Sequence, residues 1–379
     1  MRILFAGGGT GGHLYPGLAI ARALKSLSPD LDVVFIGATR GVERDVLPAT
    51  DFPYLLLDLH PLYRSKPWLN ISTLRGFVSA WRALGRLARE DRPALVVGTG
   101  GYASGATLGY AIAHGIPITI QEQNSYPGLT TRLASRFARE IYLGYDEAAA
   151  FLHPRRDAWI GVTGNPIQPP PETIPGRGAA RRKWGFPESG GNVLLVFGGS
   201  QGSRAMNEAM RDWIGRGLPE NIYVIWGTGK AGYNDVRSLE SRRIKIAPYL
   251  SPISDAYAAS DLALTRAGAL TSAELNAWGI PSVLIPLPTA AADHQTANAR
   301  ALAAAGAAVM LRQSDLSVDR LETEVVSLFD NPEKLAALAR RASEQGKPNA
   351  AMVIAQRILA LVTAGSAPQT HRGGKGANA

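Results

Sequence analysis

One pattern occurs twice in this chain: a short apolar strand runs into a glycine-rich turn that opens a helix. Near the N-terminus, Ile3-Leu4-Phe5-Ala6 leads into Gly7-Gly8-Gly9-Thr10-Gly11-Gly12-His13 and a helical pattern from Leu14 to Leu27. In the middle, Val193-Leu194-Leu195-Val196-Phe197 leads into Gly198-Gly199-Ser200-Gln201-Gly202-Ser203 and a helix from about Arg204. A turn without Cβ atoms lets a phosphate or sugar approach the backbone. The helix behind it offers free N–H groups and the positive end of its dipole. Each turn is therefore an anion cradle, and its repetition divides the chain into two similar units.

The rest of the chain extends both units. In the first, short apolar strands are predicted at Val33–Gly37, Tyr54–Leu57, Leu95–Val97, Ile118–Gln121, Glu140–Leu143 and Trp159–Val162, with helical patterns between most of them. In the second they fall at Ile222–Trp226, Arg243–Ala247, Leu262–Thr265, Val283–Pro286 and Ala308–Leu311. Alternation of this kind predicts α/β architecture: two Rossmann-like doubly wound domains facing a central cleft, with ligands beyond the carboxyl ends of the strands. The expected boundaries are 1–165 for the first unit and 166–178 for a linker rich in Pro169, Pro170, Pro171 and Pro175. The second unit spans 179–349. A last helix, 350–363, is free to pack back on the first unit. The small, polar residues 364–379 predict a disordered tail.

A length of 379 residues suffices for two full cores. The formal net charge of +9 favours an anionic partner: nucleic acid, an anionic membrane surface or a phosphorylated substrate. The absence of cysteine excludes disulfides and thiolate metal sites. The apolar run after Arg2 ends at Gly7, so no signal peptide is predicted. No run of ~18 apolar residues predicts a transmembrane helix, so membrane contact is expected to be peripheral.

Gly7, Gly9 and Gly12 satisfy the dinucleotide fingerprint G-x-G-x-x-G. That reading wants an acid at the end of the second strand, which instead reads Ile36-Gly37-Ala38-Thr39. No P-loop motif occurs. Asp30-Leu31-Asp32 is the one D-x-D, but it lies before the second strand, where a solvated turn is expected. His13 starts a helix. It reads either as a cap or as a general base kept neutral by the helix N-terminus. Two further strand-end segments, Gly98–Gly105 and Gln121-Glu122-Gln123-Asn124, should converge beside it as a sugar or sugar-phosphate site. In the second unit, Thr265–Glu274 joins a strand to a helix and suits a diphosphate, with Glu274 either capping the helix or holding a ribose diol. Asp293-His294-Gln295-Thr296 follows the next strand and is expected to complete a sugar site, with an N-cap as the alternative for Asp293. The other histidines show no metal-site spacing.

The stretch Tyr63–Arg92 carries a surface signal. Leu74, Phe77, Val78, Trp81, Leu84 and Ala88 share one helical face, and Arg75, Arg82, Arg86 and Arg89 another. Upstream stand Tyr63, Arg64, Lys66 and Trp68. Two readings stay open: core packing behind a solvated basic face, or a basic, aromatic surface resting on an anionic bilayer, where each Lys or Arg contributes ~1 kcal/mol. No nucleic-acid module accompanies the charge, so nucleic acid is not an expected partner.

Taken together, these blocks resemble the MurG family. Its members are inverting glycosyltransferases that add N-acetylglucosamine to undecaprenyl-pyrophosphoryl-N-acetylmuramyl-pentapeptide (lipid I), making lipid II for peptidoglycan. The carriers are GGGTGGHLYPGLAIA, GGYASG, QEQN, PGLTTRLAS, TGNPI, FGGSQGS, SRAMN, TRAGALTSAEL and DHQTANA, spread from Met1 to about Val362. The resemblance implies the GT-B arrangement, with UDP-GlcNAc held mainly by the second unit and neither metal nor cofactor required. It implies donor-sugar contacts at Thr10, Gly11, Gly12 and Asn124, a diphosphate contact at Ser200 and a uracil contact at the Leu250 backbone. Ala269, Leu270, Thr271, Ser272, Ala273 and Glu274 match the nucleotide segment, with Glu274 on the ribose. Gln295 matches the residue that meets the sugar hydroxyls. His13 matches the proposed base or orienting residue, with Glu122 as the alternative base. The implied partners are UDP-GlcNAc, lipid I and an anionic membrane surface, at the cytoplasmic face of a bacterial inner membrane. Two departures stand out: Gln168 where the family carries arginine, and Ala106 where it carries proline. Three competitors stay open: a UDP-GlcNAc 2-epimerase, a related transferase with another acceptor such as diacylglycerol, and a non-catalytic nucleotide-sugar binding module.

Overall fold

The structure, a computed structural model, describes residues 1–60 and 70–366. Its first half runs β1 (Arg2–Gly7), α1 (Gly11–Leu27), β2 (Asp32–Ala38), α2 (Glu43–Val46), β3 (Tyr54–Leu57), α3 (Asn70–Glu90), β4 (Leu95–Gly100) and α4 (Tyr102–Ala113). It continues through β5 (Ile118–Glu122), α5 (Leu129–Ala134), β6 (Glu140–Leu143) and β7 (Trp159–Val162). The seven strands form one sheet in the order β3-β2-β1-β4-β5-β6-β7. The second half runs α6 (Arg177–Lys183), β8 (Asn192–Phe197), α7 (Arg204–Gly217), β9 (Ile222–Gly227), α8 (Lys230–Val236), β10 (Ile244–Ala247) and α9 (Ile253–Ala259). Then come β11 (Leu262–Thr265), α10 (Ala269–Ala277), β12 (Ser282–Leu284), α11 (His294–Ala304), β13 (Ala308–Met310), α12 (Val318–Phe329) and α13 (Pro332–Gln345). Its six strands are ordered β10-β9-β8-β11-β12-β13, the same winding as the first sheet.

Every strand pair is parallel. Both faces of each sheet are covered, which is why the strands read as continuous apolar runs rather than alternating ones. The alternation exists in space. Leu4 and Ala6 pack with α3 and α4, while Ile3 and Phe5 pack with α1 on the other face. Each sheet reverses its winding beside its first strand, and that switch point is where a ligand crevice opens. The two glycine turns lie there, after β1 and β8.

The last helix, α14 (Ala350–Ser366), joins the first half: Ile354, Ala355, Ile358 and Val362 enter the core around Ile3, Phe5, Leu14 and Leu18. Arg357 pairs with Glu140 at 2.8 Å and stacks 3.4 Å over the Trp159 ring. The helix reaches Ser366 rather than ending at Thr363; the remainder of the expected tail lies outside the described residues. So do Tyr63, Arg64, Lys66 and Trp68. Helix α3 departs from the single buried stripe that core packing would give. Ala80 and Leu84 are buried, but Leu74, Phe77 and Val78 are 65%, 39% and 43% exposed. Arg75, Arg82, Arg86 and Arg89 are exposed beside them.

Candidate active site

A cleft of about 2400 Å³ is lined by the carboxyl-end loops of both sheets. A pocket for one small ligand is ~300–1,000 Å³, so donor and acceptor fit here together. From the first half come Thr10, Gly11, Gly12, His13, Glu122 and Asn124; from the second come Ser200, Ala269, Leu270, Thr271, Glu274 and Gln295. Leu250, Ser272 and Ala273 are not among the residues that line it. Gln168 lies on it, exposed, so the family's missing arginine maps to the cleft itself.

His13 is half-buried in the first turn of α1, where the N-cap Thr10 makes no side-chain cap. Its Nδ1 lies 3.0 Å from Gln123 Oε1. The Gln123 amide cannot be turned round. Its nitrogen donates to the Thr99 carbonyl at 2.8 Å and to the Gln121 side-chain and main-chain oxygens. Gln123 Oε1 must therefore face the imidazole, so Nδ1 carries the proton and Nε2 is left as an acceptor. Thr99 Oγ1 donates to the His13 carbonyl at 2.7 Å and holds the turn. The ring fits because Gly100 and Gly101 have no side chains. A Cβ on Gly100 would come within 2.8 Å of His13 Nδ1, and both glycines have positive φ, 95° and 75°. Gln123 was visible in the sequence only as one of four polar residues in a row; nothing there gave its direction.

Glu122 is differently placed. Its Oε1 accepts from the Asn124 backbone N–H at 3.0 Å and from Asn124 Nδ2 at 3.2 Å, and its Oε2 accepts from Gly128 N–H at 3.3 Å. Both of its oxygens are therefore engaged in holding the turn 124–128.

An acid the sequence had hidden stands under the first cradle. Glu43 is fully buried, and its Oε1 accepts from the Gly9 and Ala38 N–H groups, each at 3.0 Å. A Cβ on Gly8 or Gly41 would fall within 2 Å of this carboxyl group, at 1.8 and 1.9 Å. So the carboxylate missing from the end of β2 is supplied a turn later and spent on the loop itself. It occupies the Gly9 N–H, which is therefore not free for a ligand.

On the facing side, Ser203 caps α7 by accepting from Met206 N–H at 3.4 Å, behind the Gly198–Gly202 turn. Glu274 Oε2 accepts from the Tyr257 hydroxyl at 2.8 Å. Burial pushes the Glu274 carboxyl up, partly offset by that bond, and burial beside Glu274 pushes the Tyr257 phenol up as well. Arg266 is spent on structure: its guanidinium donates to the Ile285 and Pro286 carbonyls at 3.2 and 3.1 Å and to Gln313 at 2.6 Å. Gln295 Oε1 accepts from Leu287 N–H at 2.9 Å, which turns its amide nitrogen to the cleft side. His294, named in the sequence as one of four residues expected to complete a sugar site, lines the cleft near His13. It follows Ala292 and Asp293, both left-handed at φ 53° and 55°, and its Nδ1 donates to the Ala291 carbonyl at 2.7 Å. Burial holds its pKa below the usual histidine value. Asp293 precedes α11 but makes no side-chain cap; its carboxylate accepts from the Thr296 hydroxyl at 2.6 Å. Among the described residues, no group of three or more His, Cys, Asp or Glu could hold a metal ion.

Twin Rossmann-like sheets, a glycine cradle on each side of one cleft, and Glu274 and the tautomer-fixed His13 on its opposite walls make the arrangement of a GT-B nucleotide-sugar glycosyltransferase. Residues 3–143 match the glycosyltransferase family 28 N-terminal domain and residues 193–354 its C-terminal domain. A UDP-N-acetylglucosamine–N-acetylmuramyl-(pentapeptide) pyrophosphoryl-undecaprenol N-acetylglucosamine transferase from Chlorobium limicola is 39% identical over 367 residues, 95% of this chain and 99% of its own. The enzyme of that name from Salinibacter ruber is 41% identical over 95% of this chain and 96% of its own. The crystal structure of Acinetobacter baumannii MurG superposes with a TM-score of 0.73 at 27% identity, over 95% of this chain and 99% of that one. The chain belongs to the MurG family of these glycosyltransferases.

Proposed function

We propose that this protein transfers N-acetylglucosamine from UDP-GlcNAc to the C4 hydroxyl of the MurNAc unit in undecaprenyl-pyrophosphoryl-MurNAc-pentapeptide, with inversion at the anomeric carbon. The observation that carries it is identity of about 40% along 95% of the chain to transferases of that name. The uridine diphosphate lies against the second half. Ser200 and the N-termini of α7 and α10 receive the diphosphate, Glu274 the ribose diol, the Leu250 backbone the base, and Gln295 the sugar hydroxyls. Thr10, Gly11, Gly12 and Asn124 close on the sugar from the first half. His13 Nε2 takes the proton of the attacking hydroxyl while the hydroxyl oxygen displaces UDP from the opposite face. Backbone N–H groups and helix dipoles stabilise the leaving diphosphate, so its charge is met without a metal. Glu122 orders the Asn124–Gly128 turn; its committed oxygens leave His13 as the better base.

The acceptor is a lipid, and the exposed apolar residues suit one. Leu129, Leu133 and Phe137 are 43%, 57% and 51% exposed, and with Phe77 they border the cleft. Together with Leu74, Val78 and the arginines of α3 they form a basic, apolar rim for a peripheral seat on an anionic membrane face. No helix among the described residues is long and apolar enough to cross a membrane. One assay tests the reading: labelled UDP-GlcNAc is incubated with a lipid I analogue. Label is expected in the lipid. Free ManNAc would identify an epimerase, and UDP-GlcNAc binding without turnover a binding module. In the same assay His13→Ala should lower kcat by ~10²–10⁴-fold with the fold intact. Near-normal turnover would remove His13 from the chemistry.

A further inference from the structure

The two halves meet along a polar seam with one side chain at its centre. Asn298, on α11 of the second half, is fully buried. Its amide oxygen accepts from the Ser125 N–H at 2.9 Å and from the Ser125 hydroxyl at 3.1 Å, both on the turn after β5 in the first half. Its amide nitrogen donates to Asn124 Oδ1 at 3.2 Å, across the seam, and to the Ala267 carbonyl at 3.3 Å in its own half. A backbone N–H can only donate and a carbonyl can only accept, so the orientation of this amide is fixed. It fixes Asn124 in turn: with Oδ1 facing Asn298, the Asn124 nitrogen must face Glu122, 3.2 Å away. A second buried asparagine runs alongside. Asn165 donates to the Gln123 carbonyl at 2.9 Å and to the Ala269 carbonyl at 3.4 Å. Tyr145 of the first half packs among Ala267, Leu284 and Ala299 of the second.

We propose that Asn298 is the positioning residue that registers the two sides of the cleft. It ties the turn carrying Gln123 and Asn124, and through Gln123 the His13 ring, to the β11–α10 turn on which the nucleotide rests. The inference builds on the glycosyl-transfer reading. Asn298 stands behind the cleft wall and touches neither reacting group. Its effect is on where a base held by one half meets a sugar held by the other, and an error of ~1 Å in such a placement can cost ~10²-fold in rate.

The test uses the full-length chain with Asn298→Ala and Asn298→Asp. UDP affinity by calorimetry reports the second half alone; kcat and KM for transfer to a lipid I analogue report the assembled cleft. Both variants should bind UDP within about twofold of wild type and lose ~10–10²-fold in kcat. Aspartate keeps the shape and the oxygen that accepts from both Ser125 donors but turns an oxygen toward Asn124 Oδ1 and the Ala267 carbonyl, so it should not restore the rate. Wild-type kcat in either variant would overturn the proposal. So would a loss of UDP affinity in step with kcat, which would make Asn298 an ordinary core residue of the second half. A wild-type protein that binds UDP but transfers nothing would overturn the transferase reading instead, before any variant is compared.

Discussion

At the scale of single residues, the proposed chemistry turns on the orientation of one imidazole. Gln123 is neutral, so it sets the His13 tautomer without favouring the imidazolium as a carboxylate would. Gln123→Leu should lower kcat by ~10-fold or more with little change in donor KM, because the ring loses its anchor but the nucleotide site is untouched. Gln123→Glu tests the charge. A base works only when neutral, so activity falls as pH drops through its pKa. A carboxylate beside Nδ1–H favours the protonated ring and moves that acid limb to higher pH. Glu122 and His294 also face this part of the cleft and are unchanged in the variant, so the shift belongs to position 123. An unmoved acid limb would mean that His13 is not the group that titrates. His13 was legible as a candidate, since a histidine directly after a glycine turn sits at a helix start. Its partner was not legible, because the two are brought together by strands β1, β4 and β5 lying side by side.

At the scale of elements, α3 shows why periodicity underdetermines a helix. Its apolar face and basic face were both plain in the sequence, but a stripe does not say what covers it. In the fold Ala80 and Leu84 are buried, while Leu74, Phe77 and Val78 stay exposed. Four arginines at ~1 kcal/mol each would contribute ~4 kcal/mol on an anionic surface, about 10³ in partitioning. Leu74→Asp with Val78→Asp should therefore weaken binding to anionic vesicles while turnover of a water-soluble acceptor analogue is kept. Wild-type binding should itself weaken as salt rises. Vesicle sedimentation that neither salt nor the double variant alters would sink the membrane role of this helix. The glycine turn before α1 makes a related point. Its fingerprint lacks a ribose-binding acid at the end of β2, and Glu43, a turn later, is buried under the loop and accepts from the Gly9 and Ala38 N–H groups instead. A carboxylate placed by the turn after β2 leaves no spacing signal to find.

At the scale of the whole molecule, the chain closes on itself. Helix α14 follows the second half in sequence but buries Ile354, Ile358 and Val362 in the core of the first. Each such side chain contributes ~1.5–3 kcal/mol, so their loss removes roughly 5–9 kcal/mol from a domain whose net stability is of order 5–15 kcal/mol. Truncation after Asn349 should thus unfold the first half while the second still binds UDP; hydrogen exchange resolved along the chain would show it, and uniform protection would refute it. The sequence by itself determined the thirteen strands, their parallel winding and the two facing cradles, because strand, glycine turn and helix are local patterns of apolar spacing and backbone freedom. Only the tertiary structure decided which nitrogen of His13 is free, where Glu43 is spent, what α3 leaves bare and that Asn298 joins the halves. Each of these is a contact between segments distant in the chain, governed by hydrogen-bond matching in a packed interior, and no local pattern encodes its partner.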